Sequence, residues 1–62
     1  MLIEHREIIV ESSLVQADMW DVYVPDGRNC SFWATVATAD LTEATSNGVA
    51  IHDRLTGQPW AA

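Results

Sequence analysis

Residues 19–36 read MWDVYVPDGRNCSFWATV, two runs of β-branched and aromatic residues on either side of Pro25-Asp26-Gly27. Such runs favour strands, and a Pro-Asp-Gly break between them predicts a β-hairpin. Two turn geometries suit the break. A two-residue turn on Asp26-Gly27 would set Trp20 opposite Trp33 and leave both faces of the hairpin mixed. A type I turn centred on Pro25-Asp26, with Gly27 left-handed, sets Val24 opposite Arg28, Val22 opposite Cys30 and Trp20 opposite Phe32. It gathers Trp20, Val22, Val24, Cys30, Phe32, Ala34 and Val36 on one face. Met19, Asp21, Tyr23, Asn29, Ser31, Trp33 and Thr35 share the other. Because a slip of one residue exchanges the faces, this sorting selects the second geometry. It predicts Trp20 buried beside Phe32, and Trp33 pointing outward across from Met19 and diagonal to Tyr23.

The flanking segments extend the hairpin into a small α+β domain. Ile8-Ile9-Val10 predicts a strand over about 2–11, with Leu2, Ile8 and Val10 on one side and Ile3 and Ile9 on the other. The strand falls beside the hairpin strand of about 17–24, so that Ile9 lies near Met19. The second hairpin strand covers about 29–37. After it the period changes: Leu41, Ala44, Gly48, Ile51 and Leu55 recur at steps of three and four, one face of a helix over about 40–56. Asp40 and Glu43 resemble a capping box, and Gly57 before Pro59 is a stop signal. In that helix Gly48 allows close approach to the sheet, while a rival reading breaks the helix at Asn47-Gly48 and makes VAIHDRL a strand. The expected fold is a single domain over residues 1–62, a three-stranded antiparallel sheet with one C-terminal helix on one face. Trp60 is expected to fold back over an edge of the core.

Composition narrows the function. A chain of 62 residues is near the lower limit for independent folding, so a partner or a second copy could supply missing burial. Nine Asp and Glu stand against three Arg and no Lys, a net charge of −6. That balance, with Arg6, Arg28 and Arg54 scattered, argues against direct binding of DNA or RNA. The charged start MLIEHREIIVESS lacks the pattern of a signal peptide, and no apolar run has the length of a membrane span, so a cytoplasmic location is expected. The NCS triplet at 29–31 is then a chance match to a glycosylation pattern. One cysteine permits no internal disulfide, and two histidines with one cysteine do not compose a zinc site.

No catalytic constellation or cofactor motif is visible. Cys30, on the predicted inner face, should be a small hydrophobe that reacts slowly with thiol reagents. His5 and His52 have no spacing to a nucleophile, and His52 is expected near the helix C-terminus. Glu4 with Glu7, and Asp40 with Glu43, look solvated or capping, and no enclosed pocket is expected in so short a chain. What remains is an outward patch of Met19, Asp21, Tyr23, Asp26 and Trp33. Aromatic residues and Met dominate interface cores, so the patch predicts a partner-binding surface. The acidity predicts a protein partner with a basic surface. By analogy of size and charge alone, this resembles phage or mobile-element inhibitors that block nucleic-acid-handling complexes. Glu4, Glu7, Glu11, Asp18, Asp21 and Asp26 would then serve as phosphate mimics. The alternative is a homodimeric structural or accessory subunit whose aromatic sheet faces close on one another.

Overall fold

A computed structural model describes residues 3–60, so the expectation for Leu2 lies outside the described residues. The elements run β1 (Glu7–Ser12), β2 (Met19–Asp26), β3 (Asn29–Ala37), α1 (Thr38–Ser46) and β4 (Ala50–Asp53). The class is α+β, but the sheet has four strands in the order β3-β2-β1-β4, and it is mixed. β2 is antiparallel to both β1 and β3, whereas β4 runs parallel to β1. Parallel pairing needs a crossover, and α1 provides it, carrying the chain from the β3 edge across one face to the opposite edge.

The expected helix over 40–56 is therefore corrected to a nine-residue helix followed by a strand. The cause is Gly48. Its φ of +92° places it in the left-handed region, and the hydrogen bonds Gly48 N–H to Thr45 O and Val49 N–H to Ala44 O complete a Schellman motif. Apart from Gly48 itself and its two chain neighbours, no atom lies within 4 Å of where a Cβ would stand on Gly48, so the glycine serves chain reversal and not close approach to the sheet. At the other end Ala37 is the N-cap and offers no side-chain bond. Asp40 sits inside the first turn, where its charge suits the helix dipole. The hydroxyls of Thr42, Thr45 and Ser46 donate to the carbonyls four residues back, a pattern that adds little to helix stability. α1 is thus held mainly by packing, through Leu41 and Ala44.

Those two residues close a core with Ile3, Ile8, Val10, Val22, Val36, Val49 and Ile51, all buried. Trp20, Ala34 and Trp60 pack against its margin. Trp20 is half-buried; its indole Nε1–H donates to Thr38 Oγ1 at 3.0 Å and its ring meets Trp60 edge-on at 6.1 Å. The tail folds back as expected, with Trp60 N–H bonded to Ile51 O beside β4.

The hairpin differs from expectation in its turn. Asp26 pairs with Asn29, Pro25 with Cys30 and Tyr23 with Phe32, so the loop is the two-residue Gly27-Arg28. Gly27 has φ +63° and Arg28 does not share the left-handed conformation, the pattern of a type II′ turn. Pro25 lies beyond Tyr23, the last β2 residue paired with β1, so its missing N–H costs no bond on that side. Continued to the far end, this register would turn Ala34 and Val36 outward. A β-bulge prevents it: Val22 pairs with Ala34 and Trp20 with Val36, leaving Trp33 as the extra residue. The bulge reconciles a register set by the turn with a different one set by the core.

Candidate protein-binding surface

Strand alternation determines what lies opposite the helix. Ile8, Val10, Val22 and Ile51 point into the core, so Glu7, Ile9 and Glu11 on β1, Asp21 and Tyr23 on β2, and His52 on β4 point the other way. Because of the bulge, β3 contributes Phe32 to this side. Pairing of His52 with Ile9, Ile9 with Tyr23 and Tyr23 with Phe32 produces one row across all four strands. The rings of Tyr23 and Phe32 meet edge-on at 5.7 Å, and Phe32 is 58% exposed. The next row holds Glu11, Asp21 and Thr35, in which Thr35 Oγ1–H donates to Asp21 Oδ1 at 2.7 Å.

One cation lies across the row. The Arg54 guanidinium sits 4.6 Å from the centre of the Tyr23 ring, with its Nε 3.7 Å from Glu11 Oε2. Toward the hairpin turn the face dips into a hollow of about 450 Å³ lined by Glu7, Ile9, Pro25, Arg28, Cys30 and Arg54 among others. Two of the three arginines therefore stand on this face, so its carboxylates do not form an unbroken anionic array.

The structure divides the sequence-predicted patch. Asp21 and Tyr23 lie on the open face, Met19 is half-buried at the start of β2, and Asp26 is exposed beside the turn. Trp33 does not join them. It is 39% exposed at the bulge, and its ring meets His5 edge-on at 6.4 Å, in the segment that brings Ile3 into the core. Phe32, expected inside beside Trp20, occupies the aromatic position on the open face instead. Ile9 falls opposite Tyr23 and not beside Met19. Cys30, expected on the buried face, pairs with Pro25 and lines the hollow, and His52 belongs to β4 and not to a helix terminus. Strand alternation in β1 sets Ile9 apart from Ile8 and Val10, as expected from the sequence; nothing local in the sequence signals the bulge that exposes Phe32.

No group of three or more His, Cys, Asp or Glu side chains converges among the described residues, and no described helix is long and apolar enough to cross a membrane. A scan against protein-family models and searches of curated proteins and of solved structures find no match.

Proposed function

We propose that the protein is a small, non-enzymatic binding module that docks its open sheet face on a protein with a basic surface. The observation that carries this is the row His52–Ile9–Tyr23–Phe32, an apolar and aromatic strip across four strands on the face away from α1. A strip of that composition, rimmed by Glu7, Glu11 and Asp21, has the apolar centre and polar margin of an interface. The net charge of −6 steers the module toward positive surfaces, of which nucleic-acid-binding proteins are the largest class. Blocking such a protein is the biological role assigned. Arg28 and Arg54 on the face weigh toward apolar docking and against phosphate-by-phosphate mimicry. Closure of two faces on one another is disfavoured because it would bring two sets of carboxylates together.

The test is capture from a nuclease-treated lysate by the wild-type chain and by Phe32→Ser, at about 50 and 500 mM salt. Basic nucleic-acid-binding proteins should be retained by the wild type, weakened by salt and lost from Phe32→Ser. The purified captured protein should then release nucleic acid when the module is added. Equal retention by the two chains, or binding indifferent to salt, would overturn the proposal.

A further inference from the structure

The two edges of the sheet are treated differently. β4 is covered by the chain itself: Asp53 N–H bonds Gln58 O, Trp60 N–H bonds Ile51 O, and His52 bridges Pro59. The outer edge of β3 has no backbone partner among the described residues. An open edge is ordinarily protected by brevity, charge, proline or a bulge. The nine residues of β3, NCSFWATVA, include no charged residue and no proline. The bulge at Trp33 is the one such device on this strand, and it leaves unbulged edge on either side.

We propose that this edge pairs antiparallel with β3 of a second copy, joining two four-stranded sheets into one of eight. Several observations select a second copy as the occupant. An antiparallel edge is self-complementary about a two-fold axis, so each free donor of one strand meets the equivalent acceptor of the other. Two chains of charge −6 repel one another, and that repulsion is weakest along the one long strand without charge. Phe32 and Trp33, both exposed, stand on this strand and would lose water-exposed area on pairing. Because β4 is already covered, each chain has a single open edge among the described residues, and assembly stops at two instead of growing into a fibre. Pairing lies in the plane of the sheet, so both open faces remain accessible and lie side by side. The inference is independent of the docking role proposed for those faces.

The measurement is solution mass by sedimentation across about a hundredfold range of concentration reaching roughly 1 mM, with Ser31→Glu and Thr42→Glu as variants. Ser31 is exposed on β3 and Thr42 is exposed on the helix, so both add the same charge but only one adds it to the edge. The wild type and Thr42→Glu should dimerise with rising concentration. Ser31→Glu, shown folded by circular dichroism, should dimerise at least tenfold more weakly. In the wild-type dimer, β3 amides that do not bond β2 should be protected from hydrogen exchange. A monomer throughout the range, a dimer unaffected by Ser31→Glu, or assembly beyond two would each overturn the proposal. A dimer broken by Tyr23→Ser but not by Ser31→Glu would also do so, placing self-association on the face.

Discussion

Ile8 and Ile9 are adjacent in β1, yet one is fully buried under α1 and the other lies on the open face. Truncating each to Ala measures whether that face is open in the free protein. Ile8→Ala deletes atoms from the centre of a close-packed core and should cost about 3–4 kcal/mol. At Ile9 the three lost carbons would be worth about 2.4 kcal/mol if wholly buried; being only partly covered, they should cost about 1 kcal/mol. The lower strand propensity of Ala affects both variants alike and drops out of the difference. A gap of about 2 kcal/mol is expected, against a total stability of about 3–9 kcal/mol for a chain of this length. In urea, followed by tryptophan fluorescence, a slope of about 1 kcal/mol/M puts the two midpoints about 2 M apart. Midpoints within about 0.5 M of each other would refute the assignment of Ile9 to an uncovered face. If the loss at Ile9 also depended on protein concentration, a second copy would be covering it.

Three further outcomes follow from particular contacts. Gly48→Ala should destabilise the protein by about 1 kcal/mol in thermal or urea denaturation, because it forces a side chain into φ +92°; an unbroken helix through this position would instead gain about 1 kcal/mol from Ala. A double-mutant cycle on Trp20→Phe and Thr38→Val should give a coupling of about 0.5–1.5 kcal/mol for the Nε1–Oγ1 hydrogen bond, and additive losses would show that it contributes nothing. Cys30, lining the hollow on the open face, should react with a thiol reagent in the folded state at a rate independent of the unfolding equilibrium. Labelling that occurs only in denaturant would return Cys30 to the core.

The parts of the fold that were legible in the sequence are those governed by neighbours along the chain. The span of β3, and the placing of Trp20, Val22, Ala34 and Val36 on the core side, follow from alternation alone. What was not legible depends on distant pairing. Hydrophobic sorting assumes one register along a hairpin, and this hairpin has two, so every β3 residue between the turn and the bulge changed sides while its β2 partners kept theirs. Phe32 and Cys30 moved outward for that reason, and Trp33 left the patch. Residues 50–53 keep a helical spacing with Leu41 and Ala44, yet Ile51 is buried because β4 reaches β1, more than forty positions earlier in the chain. The left-handed reversal at Gly48 was the one local sign of this. It was visible as Asn-Gly, but it competed with a stripe of apolar residues that happened to match both structures.

The open face follows from the proportions of the sheet and its single helix among the described residues. Four strands spaced at about 4.8 Å make a sheet about 14 Å across, and a nine-residue helix is about 13–14 Å long. One such helix, laid across the strands as the crossover from β3 to β4 requires, covers one face, and no described element covers the other. The chain after β4 is used to cover that strand's edge and to bring Trp60 against Trp20. A chain selected only to fold could have made Ile9, Tyr23 and Phe32 polar, since none is needed beneath α1. Their presence in one row, on the face without a second layer, is a feature that folding alone does not require. The same holds for an uncharged β3 edge in a chain where nine residues are acidic. Both surfaces depart from what an isolated monomer needs, and they depart in directions, apolar area on the face and free backbone pairing at the edge, that another protein surface can satisfy.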